Sequence, residues 1–204
     1  MRLNSIINSV MISVRFFSPR LIALVLVFFG APAIFSQAQT IQKDSLNWGA
    51  EYDFMAPRIG QWHSVNIDGY VAHGRFKHSL MFAHINIRDQ HLTAESFSKD
   101  NLNAFGYRFE IFSHKKLRRW STGLMLLYSM HNVVSSVNGQ PGKFDTFFLG
   151  VPIGYTWVLW DHLTINPGIS ILYPLTNRKV TIGGDVVEQA PWGLEPGIKI
   201  GYRF

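Results

Sequence analysis

Charged side chains occur in segments where apolar and polar residues alternate, and they take the polar positions. Between Trp192 and Phe204, for example, Glu195, Lys199 and Arg203 alternate with apolar residues. Successive side chains of a strand point to opposite faces, so these charges share one face. The same reasoning assigns eight residues to an inward-facing charge network: Glu51, Asp53, Asp68, Arg108, Glu110, Glu195, Lys199 and Arg203.

Charges enclosed away from water must pair, because an isolated buried charge loses its hydration free energy. In a small barrel, whose lumen is filled by side chains, they would form a structural ion-pair network. A narrow gated pore is the alternative. The network hypothesis predicts that Glu51→Ala lowers the unfolding temperature, and an unchanged temperature would count against it.

Histidine is the other residue type that could do chemistry. No two of the eight histidines have the His-x-x-x-His spacing of a helical metal site, and most lie near expected loops or strand ends. We therefore expect no metal and no cofactor. The histidines are His63, His73, His78, His84, His91, His114, His131 and His162.

The elements that must position these residues are strands with period-two alternation. The clearest lie at 46–54 and 192–204, and four more lie at 104–111, 120–130, 147–157 and 163–173. A weaker one covers 65–71. Residues 76–88 change phase, with Leu80 and Phe82 on one face and Met81, Ala83, Ile85 and Ile87 on the other, which predicts a β-bulge.

Three features of the strands favour apolar faces that meet lipid. Apart from residues 76–88, the apolar faces carry no charge, whereas a lipid-facing Lys or Arg costs about 2–4 kcal/mol at the bilayer midplane. The opposite faces are rich in small residues, which suits a crowded lumen. Aromatic residues near strand ends resemble interfacial girdles: Trp48, Trp120, Tyr128, Trp157, Tyr173, Trp192 and Tyr202.

Long and short connections alternate along the chain. The long ones are 55–63, 89–101, 132–144 and 175–190, and the short ones are 72–75, 113–119 and 158–162. Short periplasmic turns and long outer loops are typical of outer-membrane barrels, so both ends of the mature chain are expected in the periplasm. Asn138-Gly139 and Gly183-Gly184 predict turns.

The first forty residues predict export. Three arginines precede the apolar run from Leu21 to Phe35, and Ser36-Gln37-Ala38 supplies small residues for cleavage after Ala38. The run has about 15 residues, fewer than the roughly 20 of a membrane-spanning helix. The expected organisation is a signal peptide (1–38), a short periplasmic segment (39–45) and a barrel (46–204), with Met1 or Met11 as the start. A retained N-terminal anchor helix is the alternative.

Composition excludes several classes of protein. The absence of cysteine excludes disulfides and thiolate chemistry. The formal net charge of +6 is basic, but the only dense cationic run is Lys115–Arg119, so nucleic-acid binding is not expected. The fold class that remains is all-β: an up-and-down antiparallel transmembrane β-barrel of about eight strands.

Two segments carry a family resemblance. Gly197–Phe204 ends an alternating strand in an aromatic residue, and Phe148–Tyr155 reads FLGVPIGY. With the signal segment, they resemble the small eight-stranded outer-membrane barrels of Gram-negative bacteria, and FLGVPIGY is similar to strands of Bacteroidota barrels. The resemblance implies outer-membrane lipid and lipopolysaccharide as surroundings. It also implies that Tyr202 and Phe204 belong to a signal read by the barrel-assembly machinery.

Outer-membrane barrels also include lipid A deacylases and acyltransferases, and the deacylases carry a His-x-Ser element on one strand. No histidine of this chain is followed two positions later by serine, and the adjacent pair His78-Ser79 faces opposite sides. We therefore expect a non-enzymatic integral outer-membrane barrel with a structural, adhesive or small-ligand-binding role. A lipid-modifying enzyme and a soluble exported barrel that binds an apolar ligand are the alternatives.

Overall fold

The computed structural model describes residues 46–88 and 97–204. The expected signal peptide (1–38) and the segment 39–45 lie outside these residues. Within the described ranges, no helix is long and apolar enough to cross a membrane. The described elements are β1 (Leu46–Asp53), α1 (Ala56–Ile59), β2 (Val65–His73), β3 (Phe76–Ile87), β4 (Phe97–His114), β5 (Arg118–Ser135), β6 (Pro141–Leu159), β7 (Leu163–Pro174), β8 (Lys179–Ile182), β9 (Asp185–Glu188) and β10 (Gly193–Arg203).

Eight of these strands close into an antiparallel barrel in the order β1-β10-β7-β6-β5-β4-β3-β2. From β1 to β7, each barrel strand pairs with the next strand along the chain. The hairpin β8–β9 then lies between β7 and β10 in the sequence. The pairing of β1 with β10 closes the ring and places Asp53 opposite Lys199. The expected fold, an up-and-down eight-stranded antiparallel barrel, is confirmed.

The two ends of the barrel differ. At one end, called here the turn end, β2–β3, β4–β5 and β6–β7 are joined by two or three residues each, and β1 begins and β10 ends there. At the other, the loop end, lie α1, the end of β3, the start of β4, the turn 136–140 and the hairpin β8–β9. The glycines of the predicted turns have positive φ, as such turns require: Gly139, Gly183 and Gly184.

Three predicted loops are partly wrong. The last five residues of the loop expected over 89–101 belong to β4, which begins at Phe97. The loop expected over 132–144 shrinks to 136–140, because β5 and β6 continue to Ser135 and from Pro141. The loop expected over 175–190 contains the hairpin β8–β9. The polar outward residues of the strand extensions broke the apolar alternation, but antiparallel strands also pair where their outer face is polar.

The bulge predicted in residues 76–88 is also wrong. β3 pairs without interruption with β2 and β4, and its side chains keep one phase. Leu80 is 72 % exposed and Met81 is 8 % exposed. The inward residues Ala83 and Ile85 are apolar because they pack against Ala56 of α1 at the loop end of the lumen.

Side chains fill the lumen in layers along its axis. Near the turn end lies an apolar cluster of Tyr70, Ala72, Phe112 and Leu117. Charged residues follow, then the cluster around Ala56 and Ala83. At the loop end Ile182 of β8 packs with Phe97, Val133 and Phe144. The charged layer therefore lies between apolar layers.

Candidate functional site

The outward face of the barrel forms an apolar belt. Its residues alternate with the lumen residues on every barrel strand, and many are half exposed: Leu46, Trp48, Ile67, Val71, Leu80, Phe105, Leu124, Leu126, Phe147, Leu149, Val151, Ile171, Leu194 and Ile198. Within the described ranges, the outward positions of this belt hold no Asp, Glu, Lys or Arg. On β6, Asp145 and Lys143 follow Phe147 on the loop side, so charge begins where the belt ends.

Aromatic residues border the belt on both sides. Toward the turn end, Trp48 stacks on Phe204 with ring centroids 4.3 Å apart, and Trp120 meets Tyr155 edge-on. Toward the loop end, the rings of Tyr128 and Phe147 are 4.6 Å apart. On β6 the belt runs from Phe147 to Trp157. At about 3.3 Å per residue and a tilt of about 40°, these ten steps span about 25 Å, the height of the apolar band in outer-membrane barrels.

The charged layer inside the barrel brings together five of the eight residues assigned to it from the sequence. Glu51, Asp68, Arg108, Glu110 and Lys199 are all buried, and they come from β1, β2, β4 and β10. Lys77 of β3 completes the group. Three cations thus face three carboxylates, and we call these six residues the lumen charge cluster.

Close contacts link the lumen charge cluster into one network. Lys77 donates to both carboxylate oxygens of Glu51 at 2.7 Å, and its Nζ lies 3.4 Å from Oε2 of Glu110. The guanidinium of Arg108 pairs with Asp68, and its Nε lies 3.2 Å from Oε2 of Glu110. Lys199 donates to Oδ2 of Asp68 at 2.5 Å. Each buried charge therefore has an opposite charge in contact, which offsets its loss of hydration.

The other three predicted residues lie outside these contacts. Asp53 accepts backbone N–H groups from Met55 at 2.9 Å and Ile198 at 3.2 Å. Arg203, at the turn end, donates to the carbonyl oxygens of Asp161 and Lys116. Glu195 is half-buried and lines a cavity of about 40 Å³ beside Arg108 and Lys199.

This cavity lies next to the lumen charge cluster. Small residues of β6, β7 and β10 form its far wall, among them Gly154, Gly168 and Gly197. Its volume accommodates about three water molecules, at roughly 10–15 Å³ of such volume for each. The cavity therefore has room for water but not for a larger solute.

Lys77 is the member of the cluster that the sequence reasoning missed. Its side chain is 1 % exposed, and its Nζ lies 4.7 Å from the centre of the Tyr70 ring. The apolar inward residues of β3 obscured the phase of the strand, so Lys77 could not be assigned to a face. Charge balance was the available signal, because the eight predicted residues comprise five carboxylates and three cations.

The histidines are dispersed among the strands and turns. His78 lies on the outward face with its Nδ1 2.6 Å from the hydroxyl of Tyr107, and His84 contacts Asn103 at 2.7 Å. His91 lies outside the described residues. Within the described ranges, no group of three or more His, Asp or Glu residues is placed to hold a metal ion.

Comparisons with known proteins give structural matches alone. No family model matches the sequence, and no curated protein matches it. The N-terminal β-barrel domain of Pseudomonas aeruginosa OprF is 10% identical with a TM-score of 0.43, and the match covers 78% of this chain and 96% of that one.

Two further solved structures are similar in the same way. A major outer membrane protein from Thermus thermophilus is 13% identical with a TM-score of 0.48, covering 80% of this chain and 100% of that one. Neisserial surface protein A is 12% identical with a TM-score of 0.43, and the match covers 79% of this chain and 98% of that one. The assignment of this chain to closed eight-stranded barrels rests on its own strand pairing.

Proposed function

We propose that this chain is an integral outer-membrane β-barrel that acts as a rigid scaffold with a sealed lumen. The observation that carries the proposal is the uncharged belt, bordered by aromatic residues, on the outside of a barrel whose charges lie inside. A soluble barrel needs the reverse arrangement, since its outer face must interact with water. Both chain ends would then lie in the periplasm, with the loop end outside the cell.

The sealed lumen follows from the packing of its layers. The six residues of the lumen charge cluster neutralise one another, and apolar clusters lie on either side. An ion crossing this layer would have to separate pairs such as Lys77 and Glu51, whose partners would lose their compensation. The proposed role is therefore structural, adhesive or ligand-binding at the loop end, with lipid and lipopolysaccharide around the belt.

The barrel-assembly machinery is the proposed partner during insertion. Tyr202 and Phe204 both face outward at the turn end, and their rings contact each other with centroids 5.2 Å apart. Phe204 also donates its backbone N–H to the carbonyl oxygen of Trp48, so it lies at the β1–β10 seam that closes the ring. A Bacteroidota affiliation stays a prediction from the Phe148–Tyr155 segment.

Two valine substitutions test whether the belt meets lipid. Val151 lies near the middle of the belt on β6, and Val137 is 72 % exposed in the turn 136–140. We expect Val151→Arg to lower the free energy of unfolding in lipid vesicles by about 2–4 kcal/mol, because the charge is moved into hydrocarbon. Val137→Arg should change it by less than about 0.5 kcal/mol, as at other exposed sites. Equal tolerance of both substitutions would contradict the proposal.

A further inference from the structure

A Ser–His–Asp hydrogen-bond relay lies at the loop end of the lumen, beyond the lumen charge cluster. Ser129 and His131 occupy alternate positions of β5 and therefore share its inward face. The hydroxyl of Ser129 lies 3.2 Å from Nε2 of His131. Nδ1 of His131 lies 3.0 Å from Oδ1 of Asp100 on β4, a residue with no exposed surface.

We propose that Ser129 and His131 form a nucleophilic site for acyl transfer, with Asp100 as a positioning residue. The arrangement matches what a serine nucleophile requires, namely a base in contact with the hydroxyl and a third group that orients the base. With its Nδ1–H directed to Asp100, the imidazole presents the lone pair of Nε2 to Ser129. This proposal goes beyond the scaffold role proposed above, and its chemistry is independent of that role.

The imidazole is held in one orientation by a second contact. Its ring stacks on Phe144 of β6 with centroids 4.4 Å apart and planes 4° apart. Ser129 also lies 3.3 Å from the carbonyl oxygen of Thr146, its cross-strand partner, so its proton has two acceptors.

The site is covered by the hairpin β8–β9. Ile182 of β8 packs against Phe144, and Asn138 donates to the carbonyl of Gly183 at the hairpin turn. Gln189, which follows β9, is buried and donates to the Thr146 hydroxyl at 2.8 Å. A substrate must therefore displace the hairpin to reach Ser129, whose cross-strand partner Thr146 accepts the hydrogen bond from Gln189.

The apolar residues around the relay define the substrate class as a carboxylic ester with an apolar acyl group. Phe97, Val133 and Phe144 form the wall against which such a group would pack. Oγ of Ser129 bonds to the carbonyl carbon, Nε2 of His131 takes its proton, and the ester C–O bond breaks as the alcohol leaves with that proton. Water then attacks the acyl-enzyme, its proton passes through His131, and the carboxylic acid leaves with Ser129 restored.

An alkyl fluorophosphonate, which bonds to activated serines, is the probe that tests the proposal on the full chain refolded in lipid vesicles. We expect wild type to be labelled, with peptide mass mapping locating the label on Ser129, and the rate to rise in Ile182→Ala because the hairpin is loosened. His131→Gln should lower the rate about 10²-fold or more, as expected for loss of a general base. Hydrolysis of 4-nitrophenyl esters should favour butyrate over acetate.

Ser79 supplies the matched control, because it is a buried lumen serine outside the relay. Ser79→Ala should be labelled like wild type, whereas Ser129→Ala should not be labelled while still migrating as a folded barrel. Even if Ser129→Ala fails to fold, the position of the label in wild type shows whether Ser129 is the activated nucleophile. Labelling at another serine, or no labelling of either wild type or Ile182→Ala, would show that the relay is only a structural contact.

Discussion

At the scale of single residues, the stability of the barrel should be most sensitive to substitution in the lumen charge cluster. Removing one partner of a buried ion pair leaves the other charge without compensation, and this costs more than the pair itself contributes. Lys77 contacts two carboxylates, Glu51 and Glu110, and is almost completely buried. A single substitution at Lys77 should therefore disturb the network.

Lys77→Met keeps much of the side-chain volume and removes the charge. We expect it to lower the free energy of unfolding in urea by about 3–5 kcal/mol. Lys143→Met, on the exposed outer side of β6, should stay within about 0.5 kcal/mol of wild type. Adding Glu51→Gln to Lys77→Met should recover part of the loss. Equal stability of the two lysine variants would mean that the network does not stabilise the barrel.

At the scale of elements, alternation predicted the clean strands because one face of each forms the apolar belt and the other lines the lumen. β10 and β7 followed this pattern, since most of their inward residues are small or polar. It failed where the lumen is itself apolar, as on β3 beside α1. It also failed for the extensions of β5 and β6 and for the hairpin β8–β9, whose pairing has no apolar outer face to reveal it.

The phase of β3 can be tested because the chain has no cysteine. Spin labels on Leu80→Cys and on Val151→Cys, an outward control, should be accessible to oxygen dissolved in the bilayer. A label on Met81→Cys should be protected from both oxygen and a water-soluble nickel complex, because this side chain faces the packed lumen. Greater oxygen access at position 81 than at position 80 would contradict this phase and would support the bulge predicted from the sequence.

At the scale of the whole molecule, strand closure brings together residues that are far apart along the chain. Lys199 and Asp68 are 131 positions apart and in contact. The sequence alone could indicate that such charges face inward, but the partner of each charge depends on register and barrel stagger. The same holds for Ser129, His131 and Asp100: the first two share a strand face, while the third is supplied by pairing with β4.

A lumen closed in this way should not conduct. In planar lipid bilayers, the refolded wild-type barrel should give no steady channel current, because the lumen charge cluster lies between packed apolar layers and the cavity beside it has a volume of only about 40 Å³. Heat-denatured protein added at the same concentration provides the baseline. A reproducible, ion-selective current from wild type would favour the gated-pore alternative over the sealed lumen.

Fractionation of cells that express the full chain tests whether the apolar belt lies in the outer membrane. The protein should sediment with the outer-membrane fraction, resist extraction by alkaline carbonate, and migrate differently on a gel before and after heating. These properties follow from a belt that needs lipid and from a barrel closed by continuous strand pairing. Recovery in the soluble periplasmic fraction, with the same migration before and after heating, would show that the belt does not lie in the membrane.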